Sequence, residues 1–391
     1  MTPETDPLRT IIDFGLTAAD LGPRITSTEE AGEEAAAKLL ELHDHWPDPA
    51  LAPVPFALDN EPNEHDVLPR ADYLVVTWTV AEHDALAAVL TPGVSRNRWY
   101  RYARDFEAKY LPKIRNGAPS RYVKRLGSYY MTKIGTATVL CFKSELHLNQ
   151  DGIRNQPGGT TLPVKDLFIQ LIAEVKPKLV ITVGTAGGVF PAHDLGDVLI
   201  THSAKFRCSS EFKDAPFNGK EYRSKFKMPT KHLAAAKKLL RFQDPHLIEP
   251  DFCPPTQRYE WKGDPLPGTR NKPTIRIEGG AAEGDLPENS PILTTDYFEF
   301  GTTDNGLWKQ GCAVEMGDAV LGLVAAEHPD TPPWLVIRNA SDPAINANLP
   351  RIKPRALDMQ AHWAVWYYTA FGYWTSVNSA VATWAAIAGD Q

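Results

Sequence analysis

Acidic side chains at the ends of apolar runs are where this chain could do chemistry. In Cys312-Ala-Val-Glu-Met-Gly-Asp-Ala-Val-Leu-Gly322, two carboxylates, Glu315 and Asp318, stand three residues apart where an apolar run turns helical. Such carboxylates either meet the positive end of a helix dipole or are aimed at a ligand. Three other stretches share this placement: Gly184-Thr-Ala-Gly-Gly188 after KLVITV, Asp296-Tyr-Phe298 after ILTT, and Asn339-Ala-Ser-Asp342 after WLVIR. In open α/β sheets, ligands bind beyond the carboxyl ends of the strands. Each stretch alone also has a plain reading: a glycine turn, a core phenylalanine, an Asp-Pro turn. Their occurrence together and in this order is the signal.

Composition and missing motifs narrow the choice. The chain has 391 residues, 43% hydrophobic and 23% charged, as expected of a globular protein with a sizeable core. A net charge of −7 gives no global attraction to nucleic acid, and no nucleic-acid partner is expected. The four cysteines, Cys141, Cys208, Cys253 and Cys312, are far apart, which argues against disulfides and a zinc site. No GxGxxG, P-loop, GxSxG or HExxH pattern occurs, and neither a metal nor an organic cofactor is called for. The first residues lack the basic start and apolar core of a signal peptide, so a cytoplasmic location is expected. Residues 363–389 carry no charge over a span long enough for a bilayer. Polar interruptions and scattered aromatics favour a buried C-terminal helix with no membrane partner.

The elements that would position these residues can be read from periodicity. Residues 1–70 form an extension: an Ala- and Glu-rich helix opening near Ser27, then a Pro-rich connector. The main region, 71–391, begins with strand YLVVTWTV (73–80) and helix AEHDALAAVL. Strand TATVLCF (136–142) and a helix with Val164, Leu167, Phe168, Leu171, Ile172 and Val175 on one face follow. Then come strands KLVITV (178–183), DVLITH, ILTT, GCAV and WLVIR, with helix GDAVLGLVAAEH between the last two. Strands apolar throughout, alternating with amphipathic helices, imply an α/β sheet covered on both faces. Segments 95–125 and 207–290 have the texture of insertions.

In order, ITVGTAGGVFPAHDLGDVLIT, ILTTDYFEF, AVEM and VIRNASDPA resemble the signature segments of the nucleoside phosphorylase and nucleosidase superfamily. The resemblance covers roughly residues 71–385. It implies a three-layer αβα fold with a mixed central β-sheet, and cleavage of the bond between a base and C1′ of ribose. It implies that Asp342 protonates the leaving base, and that Glu82, laid on the first strand-helix unit, activates water. For Glu82 a first-turn helix position favoured by the dipole is an equal alternative. Phe298 matches the aromatic that stacks on the base, with Asp296 two residues before it, and Met316 matches a methionine against the ribose. Gly184, Thr185, Ala186, Gly187 and Gly188 would let the backbone approach base and ribose closely.

Two departures qualify this. The family reads Glu-Met-Glu, its last Glu holding both ribose hydroxyls, but here that position is Gly317. Glu315 or Asp318 must then substitute, or the sugar is held differently. The second departure is the absence of a clear phosphate site after the early strand, which favours hydrolysis over phosphorolysis. A basic stretch, 95–125, with Arg96, Arg98, Arg101, Arg104, Lys109, Lys113, Arg115, Arg121, Lys124 and Arg125, reads either as a solvated or subunit-contact face, or as a grip for the phosphates of AMP up to ATP. The second reading would suit nucleotide depletion in antiviral defence, a role some proteins of this resemblance have. The expected activity is purine nucleoside or nucleotide N-glycosidase. A phosphorylase and a binding module without catalysis are the alternatives. The partners expected are a small nucleoside or nucleotide and further copies of the chain.

Overall fold

Alternate residues of a strand face opposite sides of its sheet, and here that alternation divides the core in two. The computed structural model describes residues 46–154, 159–240, 272–351 and 358–391. The helix expected near Ser27 lies outside them. In β2 (Tyr73–Thr77), Leu74 and Val76 face one apolar layer, while Tyr73 and Val75 face another. The first layer is covered by α2 (Pro163–Val175), through Val164, Leu167, Phe168 and Leu171, and by α4 (Asp318–Glu327). The second is covered by α1 (Val80–Leu90), α3 (Leu233–Leu239) and the long C-terminal helix α5 (Met359–Gly389). The architecture is therefore α/β in three layers, with a mixed sheet between helices.

The sheet turns on β6 (Leu179–Gly188). Its first part pairs in parallel with β2 on one side and β13 (Trp334–Asp342) on the other. On the β2 side its last residues, Gly187 and Gly188, pair antiparallel with β12 (Ala313–Glu315), while Gly187 still pairs with Asp342 of β13. From β2 the sheet continues through β5 (Ala137–Ser144) to β4 (Gly127–Ile134), which pairs with the edge strands β1 (Val54–Phe56) and β3 (Tyr100–Tyr102). From β12 it continues through β11 (Ile292–Thr294) to β8 (Ser203–Phe206) and β9 (Glu221–Arg223). Strand β7 (Val198–Thr201) pairs with β13 and with β10 (Ile275–Ile277).

Several expectations change. The Gly184–Gly188 stretch is strand rather than a turn, because side chains this small let β6 pass between two partners. Asn339–Asp342 is also strand, with a register shift between Ala340 and Asp342 in the pairing to β6. A bulge of this kind re-aims the side chain that follows it. The described part of the Pro-rich connector is no free spacer. It supplies β1, Trp46 packs edge-on against Trp384 at 4.9 Å, and the Trp384 indole donates to the Leu51 carbonyl at 2.7 Å. Within 95–125, Tyr102, Phe106, Tyr110 and Ile114 are core residues, so the stretch is not merely a solvated face. In the C-terminal segment, residues 363–389 belong to one buried helix, and among the described residues no helix is long and apolar enough to cross a membrane.

Candidate active site

Glu82 sits at the third position of α1, where sequence alone allows either a helix cap or a site residue. It is both. Its Oε2 accepts from the backbone N–H groups of Trp78 (3.0 Å) and Thr79 (2.9 Å) and from the Thr77 hydroxyl (3.0 Å), while Thr79 caps the helix in return. This reciprocal arrangement satisfies donors at the helix start. Oε1 reaches across to β6 and accepts from the backbone N–H and the hydroxyl of Thr185, each at 2.7 Å. Gly184 makes room for the crossing: a Cβ there would lie 2.4 Å from Glu82 Oε1 and 2.7 Å from Arg338 Nη1. Burial works to raise the Glu82 pKa, but Arg338 and the bonds from Thr185 and Thr79 outweigh it and hold the carboxyl below its ordinary range.

Arg338, on β13, is the hub of this half of the site and received no role from the sequence. Its guanidinium grips Asp318 with two bonds, Nε to Oδ2 at 2.8 Å and Nη2 to Oδ1 at 2.6 Å. It also stands 3.5 Å from Glu315 Oε2 and 3.7 Å from Glu82 Oε1, and its carbon lies 4.9 Å over the Trp78 ring. Burial opposes its charge, and Asp318, Glu315 and Glu82 together more than compensate. The fork geometry makes arginine the fitting cation here.

The acids flanking Gly317 therefore turn inward. Glu315 accepts from the backbone N–H of Gly317 (2.6 Å) and Asp318 (3.0 Å), and from the Thr294 hydroxyl, at the start of α4. Its oxygens meet the N–H groups that open α4. Asp318 is fully buried and committed to Arg338. Neither carboxylate is open to a ribose diol, which corrects their assignment as substitutes for the missing third acid. Burial and the nearby Asp318 push Glu315 up to about 8.

Asp342 lies in the opposite condition. The bulge at the end of β13 turns it toward Gly187, where a Cβ would stand 3.0 Å from Asp342 Oδ2. Its Oδ1 accepts from the Ser341 hydroxyl at 3.1 Å, whereas Oδ2 is buried with no hydrogen-bond partner. Burial raises the carboxyl to about 7. Such orphaned polar atoms are rare and point to a missing partner. Thr185 and Gly187 are two residues apart on β6, about 7 Å along the strand. Glu82 and Asp342 thus address one short stretch from its two ends. Tyr368, on α5, lies close enough to both carboxylates to feel their charge: burial, then Glu82 and Asp342, push its phenol ionisation up.

Other expected residues fall nearby in varied roles. Met316 is half-buried, with its sulfur 4.0 Å from Asn149 Nδ2. Phe298 is half-buried at the edge of an aromatic cluster that includes Trp363, Trp366 and Phe371, and its ring lies 5.7 Å from that of Phe300. Its loop is laid against the end of β6, since a Cβ on Gly301 would meet the Gly188 carbonyl at 2.2 Å. Asp296 is buried. Its oxygens accept from the backbone N–H groups of Ser209 (2.9 Å), Ser210 (3.1 Å) and Phe212 (2.7 Å), so it clamps a loop instead of a ligand. Ala186 contributes its backbone carbonyl, 3.4 Å from the Ser341 hydroxyl.

The basic stretch is largely consumed by ion pairs. Arg96 meets Asp84 (2.9 Å), Arg101 Glu64 (2.9 Å), Lys113 Asp166 (2.5 Å), Arg115 Glu211 (2.9 Å) and Arg125 Glu145 (2.5 Å). Arg121 donates to the Ile114 carbonyl at 2.5 Å. These bonds fasten the stretch to its neighbours, and they disfavour the reading in which it grips phosphates.

No protein-family description and no curated protein sequence matches the chain. Comparison of folds finds a 5′-methylthioadenosine/S-adenosylhomocysteine nucleosidase from Neisseria meningitidis, at 13% identity and TM-score 0.42, covering 81% of this chain and 99% of that one. Futalosine hydrolase of Helicobacter pylori is similar at 11% identity and TM-score 0.41, with 81% and 97% covered. A nucleosidase-like protein of Borrelia burgdorferi with bound adenine is similar at 14% identity and TM-score 0.39, with 81% and 98% covered.

Proposed function

We propose that the chain hydrolyses the N-glycosidic bond of a purine nucleoside. The observation that carries this reading is the buried, unpartnered Oδ2 of Asp342 on a carboxyl raised to about 7. Cleaving such a bond leaves negative charge on the base and positive charge on the sugar. An acid protonated near neutrality can give its proton to a ring nitrogen of the departing base. At the other end of the Thr185–Gly187 stretch, Glu82, held in its charged form, favours a cationic sugar. There Glu82 orients a water toward C1′, with Thr185 and Tyr368 beside it. Phe298 would stack on the base and Met316 would cover the sugar.

The signature segments quoted above support the same reaction class. The ion-paired basic stretch turns the choice toward a nucleoside and away from AMP or ATP, and with it away from nucleotide depletion as the role. The test is incubation with adenosine, inosine and guanosine, with and without inorganic phosphate, followed by chromatography. Free base with free sugar, unaffected by phosphate, is the expected outcome. Sugar 1-phosphate formed only when phosphate is present would make the chain a phosphorylase.

A further inference from the structure

The place where a diol-holding acid is missing is not empty. Trp78, at the end of β2, is 6% exposed, and its Nε1 is buried with no hydrogen-bond partner. A Cβ on Gly317 would lie 3.4 Å from its Cζ2 and 3.6 Å from its Cε2, the ring carbon bonded to Nε1. The edge bearing the orphaned N–H therefore runs beside Gly317, while the face of the ring lies under the Arg338 guanidinium. The two acids on either side of Gly317 are tied to α4 and to Arg338. Where an acidic side chain would accept from two hydroxyls, Trp78 presents a single neutral N–H.

One N–H can satisfy one sugar oxygen. The second hydroxyl of a ribose placed here would lose its hydrogen bonds to water without a replacement, and unmet buried polar groups are costly. A sugar lacking that hydroxyl avoids the loss. It also forms a cation at C1′ more readily, since an electron-withdrawing oxygen next to that carbon is gone. We infer that Trp78 and Gly317 set the sugar specificity, and that the site takes 2′-deoxyribonucleosides at least as well as ribonucleosides. The inference rests on the nucleosidase reading. In the reaction, water adds to C1′ and gives up one proton through Glu82 to solvent, the C1′–N bond breaks with its electron pair going to the base, the base takes the proton of Asp342, and Asp342 regains a proton from solvent.

The experiment compares adenosine with 2′-deoxyadenosine, and inosine with 2′-deoxyinosine, on the full chain. Free base gives kcat/KM, and calorimetric titration of Asp342→Asn gives binding without turnover. Sites built around a substrate hydroxyl reject the analogue lacking it by about 10⁴–10⁵-fold. Here the deoxynucleoside should match or exceed the ribonucleoside, or trail it by less than about tenfold, in both measurements. A ribonucleoside preference beyond about tenfold overturns the inference while leaving the hydrolase reading intact. If no base is released but deoxynucleosides bind at least as well, the inference stands and the hydrolase reading falls. Absence of both binding and cleavage overturns both. Trp78→Phe should lower kcat/KM for the deoxynucleoside about tenfold, as expected for one hydrogen bond. An unchanged value in a folded variant contradicts the role of Nε1. If that variant does not fold, the substrate ratio of the unaltered chain decides.

Discussion

The acids around Arg338 and the lone acid at Asp342 are equally buried and chemically alike, yet their surroundings prepare them for opposite tasks. Every oxygen of Glu82 and Asp318 has a donor, and the guanidinium stands among them. Asp342 has one hydroxyl on one oxygen and nothing on the other. The first arrangement holds the Glu82 carboxyl in its charged form; the second raises the Asp342 carboxyl to about 7, where a proton is still held near neutral pH. What a buried acid can do is set by its donors, so two acids of a kind can serve as a fixed negative field and as a proton source.

The largest effect should come from removing the shared cation. Arg338→Met leaves buried carboxylates uncompensated, and such losses cost about 3–5 kcal/mol. Urea unfolding at pH 7 measures this, and a loss below about 1 kcal/mol would mean that the acids do not depend on Arg338. Glu82→Gln should lower kcat/KM for base release by about 10²–10⁴-fold, the usual worth of a proton-handling group. A rate near that of the unaltered chain would reduce Glu82 to its helix-capping role.

A smaller effect separates the two regions by sign. The raised carboxyl of Asp342 favours the fold when protonated. Its contribution is fully present below the ordinary value of 3.8 and is lost as pH rises through about 7. Asp342→Asn should therefore melt higher than the unaltered chain at pH 8, with the advantage vanishing at low pH. Asp318→Asn should melt lower at pH 8, because it breaks the bidentate pair. The same sign for both would abolish the contrast. The smallest effect belongs to the basic stretch: Lys113→Ala breaks a partly exposed pair with Asp166 and should change stability by about 1 kcal/mol or less. It should leave base release unchanged.

Much of the scaffold was legible because apolar runs and helical spacing reflect burial directly. The strands at 73–77 and 292–294 and the helices at 80–90 and 163–175 lie where the pattern placed them. Strand ends were harder. Periodicity fades in Gly184–Gly188 and Asn339–Asp342, yet pairing across the sheet carries both as strand. Partners were harder still. Nothing local to Asp296 indicates that loop amides 84 to 87 residues away take its oxygens. Nothing near Tyr368 indicates that it faces Glu82 and Asp342. Arg338 stands within the quoted VIRNASDPA segment, and the signal that could have found it was a cation four residues before the acid on a strand read as buried. Gly317 was recognised as a missing carboxylate, but only three-dimensional packing brings Trp78 beside it.

The central claim is that Asp342 is the proton donor, and the pH dependence of base release tests it most directly. With the unaltered chain, kcat/KM should fall as pH rises through about 7, where the donor loses its proton. In Asp342→Asn the rate should drop by about 10²–10⁴-fold and that limb should disappear. An Asp342→Asn variant that releases base at an undiminished rate, with the same limb near pH 7, would show that the proton comes from elsewhere.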